Sequence, residues 1–211
     1  MQAVTRWLLL AATFVQAGCA SLPPASAPST AEIHQQHLSS LAEIQNFELQ
    51  GRIGVQSDYK GFSGSTQWQH EQQQDSIALF SPLGSQVASI KRNDAGVTLL
   101  TSDNKQYHAA DAETLTEQNL GWRLPMRGLS DWVLGRPGPG VSSESSWDDL
   151  GQLTRLKQDG WDIEYSLYTP VPASSAVANK STTAVKSLPT RITLRNAKLT
   201  LKLIVQQWQW Q

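Results

Sequence analysis

The hydrophobic positions along the chain change period several times, and each change predicts a different element. Trp7 to Val15 is an almost unbroken apolar run. It is too short to cross a hydrocarbon core, which takes about 20 apolar residues. Ile33, Leu38, Leu41 and Ile44 then recur at helical spacing, and Ser29 followed by Glu32 forms a capping-box pattern at the start of that helix. From Phe47 the period becomes two, with Phe47, Leu49, Gly51, Ile53 and Val55 on one face and Glu48, Gln50, Arg52 and Gln56 on the other. Similar alternation predicts strands at 62–70, 75–81, 86–92, 97–102 and 106–110, separated by Ser57-Asp58, Asn93-Asp94 and Asp103-Asn104.

The middle of the chain breaks this rhythm. Asp111 is placed to cap a brief helix through Leu115. Pro125 stands near the start of a second helix that carries Leu129, Trp132 and Val133 on one face and ends at Gly135. Strands resume at 151–157 and around Trp161, Ile163, Tyr165 and Leu167. Ser174 to Lys186, rich in Ala, Ser, Thr and Val, reads as a mobile insertion. Strands at 191–195 and 198–210 then meet in a hairpin around Asn196. About ten antiparallel strands and two or three short helices follow. A sheet of that size does not stay flat, and a barrel or half-barrel is expected.

Composition and chemistry sharpen the two ends of this picture. Arg6 ahead of the Trp7–Val15 run, with small residues after it, has the layout of a secretory signal peptide over 1–18. Ala17-Gly18-Cys19 follows, and Cys19 is the only cysteine in the chain, so no internal disulfide can form. The segment resembles a bacterial lipobox, in which the cysteine becomes the lipidated first residue. Gln16 departs from the usual aliphatic position. Ordinary cleavage that leaves a free thiol is the alternative. Ala20, where an Asp resembles an inner-membrane retention signal, favours the outer membrane. Residues 19–30 form a Pro-, Ala- and Ser-rich lipidated tether, leaving 31–211 as one domain with a real core. Loss of Arg6 leaves 16 basic against 18 acidic residues, which excludes the basic field of a nucleic-acid binder. Seven of the eight tryptophans fall in the domain, suiting places where apolar and wet surroundings meet.

An ordered set of short motifs then carries a family resemblance: Gly51-Arg52-Ile53, Trp68-Gln69, Ser81-Pro82-Leu83-Gly84, Gly121-Trp122-Arg123-Leu124-Pro125, Trp132-Val133-Leu134-Gly135, Gln158-Asp159-Gly160-Trp161 and Leu188-Pro189. The chain resembles the LolB family of outer-membrane lipoprotein receptors from Ile33 to Trp208. That resemblance implies a mainly β fold, a half-open antiparallel barrel whose concave face is covered by short helices enclosing an apolar cavity. It also implies a monomeric, periplasm-facing, lipid-anchored receptor that takes acylated lipoproteins from a soluble LolA-type carrier and inserts their acyl chains into outer-membrane lipid. Neither a cofactor nor a metal is expected.

Candidate cavity residues are Leu49, Ile53, Trp68 and Tyr165 on the strands and Leu129 and Trp132 on the helix. Each one read singly fits an ordinary core better than a cavity wall; that they enclose a cavity together is what the resemblance implies. Trp122 and Trp161 pack near the cavity or in the core. Pro82 and Gly84 disfavour strand continuation, so Leu83 falls at a hairpin tip. There it either folds back onto the sheet or, as the matching leucine does in the family, dips into the bilayer. Enzyme signals are weak. His34 and His37 lack a third ligand, Asp148-Asp149 reads as a solvated loop pair, and the glycine-rich stretch 135–140 lacks the Lys-Ser/Thr of a phosphate loop. Three classes therefore stand: a lipid-shuttling receptor, a structural envelope lipoprotein with a filled barrel acting as a scaffold, and an envelope hydrolase.

Overall fold

The computed structural model describes residues 27–58, 60–174 and 184–211. Helix α1 (Thr30–Ala42) leads into a meander of β1 (Asn46–Ser57), β2 (Gly61–Glu71), β3 (Gln74–Phe80), β4 (Gln86–Asn93), β5 (Gly96–Thr101) and β6 (Gln106–Ala109). Helices α2 (Ala112–Leu120) and α3 (Met126–Val133) follow. A second meander then comprises β7 (Ser143–Trp147), β8 (Leu153–Gln158), β9 (Trp161–Pro172), β10 (Val185–Arg195) and β11 (Leu199–Trp210). All eleven strands form one sheet in the order β6-β5-β4-β3-β2-β1-β11-β10-β9-β8-β7. β1 and β11 pair at its centre, and among the described residues β6 and β7 are its edges.

Curvature follows from covering the buried face. Eleven strands spaced about 4.8 Å apart would span roughly 50 Å if flat. The longest helix among the described residues, at 13 residues, reaches only about 20 Å. Yet β1 buries alternate residues along its length and β11 does the same, so the sheet wraps around its helices. Two inward glycines permit the bend. A Cβ on Gly64 would lie 1.9 Å from the Phe80 carbonyl oxygen. One on Gly51, at a register shift between β1 and β11, would lie 2.4 Å from that of Ile204. Backbone approaches that close exclude any side chain.

Local capping agrees with the sequence. Ser29 and Glu32 form the reciprocal capping box of α1. Asp111 accepts from the Glu113 and Thr114 backbone N–H groups, but α2 continues to Leu120 rather than Leu115 and stops at Gly121 in the left-handed region. Pro125 precedes α3, which is kinked where Arg127 and Gly128 leave helical angles.

Other expectations are corrected. Helix α1 starts at Thr30, inside the stretch assigned to the tether. Its buried residues are His34 and Leu41, while Ile33 and Leu38 are only half-buried. The reason is a contact that no period encodes: the His34 ring stacks on Trp147 at 4.2 Å and its Nδ1–H donates to the Gly151 carbonyl at 2.7 Å. Strand β7 went unread because Ser-Glu-Ser-Ser has no apolar alternation; it is an exposed edge held by β8. Leu167 does not continue the inward row of Trp161, Ile163 and Tyr165. A register shift between β9 and β10 moves the pleat by one residue and leaves Leu167 exposed. Strand β10 begins at Val185, so Val185 and Lys186 are sheet residues and not insertion. Residues 175–183 lie outside the described residues. Pro189 hid this strand from the sequence, and it is tolerated next to the same irregularity.

Candidate functional site

The inward faces of β1, β2, β3, β10 and β11 meet α3 and the segment before it around a small apolar cavity. Leu49, Ile53, Thr66, Trp68, Ile77, Leu79, Leu194, Leu201 and Leu203 form the sheet side; Trp122, Leu124, Leu129 and Val133 form the lid. The Thr66 hydroxyl, the only side-chain hydroxyl in this wall, donates to the Ala78 carbonyl at 3.2 Å. The free volume is about 30 Å³, room for a water or two and not for an acyl chain. Such a wall can do one thing chemically, which is to take apolar matter out of water.

Four of the six residues singled out from the sequence, Leu49, Ile53, Trp68 and Leu129, line this cavity. Trp132 and Tyr165 sit behind it. The Tyr165 hydroxyl donates to the Trp132 carbonyl at 2.9 Å, and full burial, with Tyr168 nearby, pushes that phenol up from its ordinary pKa. The Trp132 ring lies over Gly128, and its indole N–H donates to Gln158 at 2.7 Å. Buried Gln158 also accepts from the Gly138 N–H and donates to the Gly138 and Val141 carbonyls, each at 2.8 Å. One side chain thereby ties α3 to the 135–141 loop. A larger polar cleft of about 780 Å³ lies on that side of α3, edged by Trp132, Arg92, Arg127 and Arg136.

A polar cluster missed by the sequence reading supports Trp68 from behind. The Asp75 carboxylate accepts from Trp68 Nε1 at 2.8 Å and His70 Nδ1 at 2.7 Å on one oxygen, and from Arg92 Nε at 2.6 Å on the other. Burial by itself would raise this carboxyl's pKa. The hydrogen bonds from His70 and Trp68 and the Arg92 charge outweigh it and hold the group below its usual range. The available signal was that His70 and Asp75 occupy inward positions in phase with Trp68 and Ile77.

Leu83 stands at the tip of the β3–β4 hairpin, 95% exposed. Pro82, Leu83 and Gly84 make a three-residue loop. The Gly84 N–H donates to the Ser81 carbonyl at 2.9 Å, the Ser81 N–H donates to the Ser85 carbonyl at 2.8 Å, and Gly84 is left-handed at φ 85°. The leucine does not fold back. Cys19 lies outside the described residues. His34 is committed to Gly151 and Trp147, and Asp148 caps its own turn by accepting from the Leu150 and Gln152 N–H groups. Among the described residues, no group of three or more His, Cys, Asp or Glu side chains is placed to hold a metal, and no helix is long and apolar enough to cross a membrane.

A curled antiparallel sheet closed by a helical lid over an apolar interior defines a half-barrel of the kind built to house hydrophobic matter. Comparison with known proteins makes this specific. A family model described as Outer membrane lipoprotein LolB matches residues 45–208. The outer-membrane lipoprotein LolB of Nitrosomonas europaea is 36% identical over 95% of this chain and 91% of its own length. Those of Chromobacterium violaceum and Pseudomonas paraeruginosa are 34% and 32% identical, over 98% and 96% of this chain and 99% and 95% of their own lengths. The chain belongs to the LolB family of outer-membrane lipoproteins. Two solved structures share the fold at low identity. A LolA superfamily protein from Nitrosomonas europaea gives a TM-score of 0.50 at 11% identity, covering 83% of this chain and 92% of its own. A DUF1329 family protein from Desulfovibrio piger gives 0.52 at 5% identity, covering 86% and 91%.

Proposed function

We propose that the protein is an outer-membrane lipoprotein receptor, anchored through acyl chains on Cys19 and facing the periplasm. It takes acylated lipoproteins from a LolA-type soluble carrier and passes their acyl chains to outer-membrane lipid, acting as a monomer. Family membership together with a wall of apolar side chains at the centre of the sheet carries this reading. Acyl burial is non-directional and needs no reacting group, and release to the bilayer requires only that the membrane bind the chains more favourably still. Leu49, Ile53, Trp68 and Leu129 would contact the chains directly. Trp132 and Tyr165 would hold the lid from behind, and Leu83 would be the element that enters the bilayer.

The closed state of the cavity sets a requirement: loading must displace the lid, because about 30 Å³ admits no acyl chain. The same closure favours a second reading, a scaffold whose interior stays filled. A soluble form with Cys19 replaced decides between them. The receptor strips a labelled triacylated lipoprotein from the carrier and forms an isolable complex. The scaffold leaves the cargo on the carrier, and that result would overturn the proposal.

A further inference from the structure

The apolar cavity has a neighbour on the side of the Leu83 hairpin. A cleft of about 500 Å³ opens there, and it shares two wall residues with the cavity, Leu79 and Trp122. The Trp122 ring is therefore a partition between the closed interior and the outside. The cleft's remaining apolar residues, Phe62, Val87, Tyr107 and Leu120, are half-buried, so apolar side chains lead from the cavity toward solvent through a cleft whose lining also includes Lys60, Thr101, Ser102, Asp103 and Asn119. Val87 is the unpaired residue at the register shift between β3 and β4, four positions from Leu83. Along extended chain that is at most about 13 Å.

Trp122, like Trp161, is held differently from four other large indoles of the interior. Trp68, Trp132, Trp208 and Trp210 each donate their ring N–H to a fixed oxygen. Trp122 has no hydrogen-bond partner among the described residues and is retained by packing alone. Its flanks are unequal. Gly121, at φ 85°, ends α2 and lies under the stem of Lys60, whereas the Leu124 N–H is fixed to the buried Thr116 hydroxyl at 2.9 Å. The stretch from 121 to 123 thus has a glycine pivot at one end and an anchor at the other.

The geometry points to Trp122 as a plug between the acyl cavity and an exit cleft that delivers acyl chains to the bilayer beside Leu83. This rests on the receptor reading. The shared apolar wall of Leu79 and Trp122, continued by Phe62 and Val87, names the occupant, an acyl chain of the cargo. Once loading has displaced the lid, release by this route needs only the Trp122 ring to move aside.

The test uses the full chain loaded with a triacylated lipoprotein bearing radiolabelled acyl chains, and vesicles of phosphatidylethanolamine and phosphatidylglycerol as acceptor. Val87→Glu puts a carboxylate on the half-exposed cleft wall. It should form the cargo complex as the unaltered chain does and release label to vesicles at least tenfold more slowly. Trp122→Phe keeps an apolar but smaller plug and should release several-fold faster. A photoreactive residue in place of Val87 should capture labelled acyl chains during release, and one in place of Ile204, on the outer face, should not. Unaltered release by a folded Val87→Glu protein, or no capture at position 87, overturns the passage while leaving the receptor reading intact. Failure of the unaltered chain to form any cargo complex overturns both.

Discussion

Replacing Leu83 with Glu separates membrane delivery from folding. The side chain is 95% exposed at the end of a loop set by Pro82 and Gly84, so its removal costs the folded state no packing, and stability should change by less than about 0.5 kcal/mol. Cargo acceptance should also persist, because the tip shares no wall with the apolar cavity. The loss falls on contact with the bilayer. Burying a leucine is worth about 1.5–3 kcal/mol. At about 1.4 kcal/mol per decade, losing it should slow release roughly 10- to 100-fold. The assay loads receptor with labelled lipoprotein, adds phospholipid vesicles, and follows label in the vesicle fraction over time, with a urea melt run alongside. Release at the original rate from a protein of unchanged stability would refute a membrane role for Leu83. Slow release accompanied by lost stability would refute the claim that the tip is independent of the fold.

Three further outcomes follow from the packing. Gly64→Ala should destabilise by about 1–3 kcal/mol or more, since its Cβ meets backbone at 1.9 Å, whereas Gly54→Ala on the adjacent strand, with open space around it, should be close to neutral; urea midpoints check both. Gln158→Leu strands the Trp132 and Gly138 N–H groups and should cost about 3 kcal/mol by the same measurement. Asp75→Asn should cost about 1–3 kcal/mol near neutral pH, less than the roughly 3–5 kcal/mol of a fully buried broken pair because Arg92 is partly exposed. The Asp75 carboxyl is held below its usual range, so its contribution is present at neutral pH and is lost on protonation as the pH falls below about 4. Thermal melts should therefore converge for the two proteins in acid.

Much of this molecule was determined locally and is legible in its sequence. The phase of β1 from Phe47 to Val55, the Ser29–Glu32 box, the Asp111 cap and the exposed Leu83 loop each depend on residues within a few positions of one another. Alternation also nominated Leu49, Ile53 and Trp68, because an inward phase once established propagates along a strand. What the sequence left undecided depends on partners that neighbouring strands and helices bring together, many of them far away along the chain. Trp132 and Tyr165 look equivalent to Leu129 by period, yet only Leu129 reaches the cavity. The Gly128 kink and the Gln158 hydrogen bonds hold the Trp132 ring to the other side of α3. His34 is buried because Trp147 and Gly151 come to it from more than a hundred residues away. Leu167 loses its phase to a register shift set by β10, and the Asp75 carboxylate on β3 draws donors from β2 and β4. Above all, the curl of the sheet decided how much empty space the apolar wall encloses. Side-chain character specifies that such a wall exists; its volume, and the single ring of Trp122 that closes it toward Leu83, are properties of the assembled barrel.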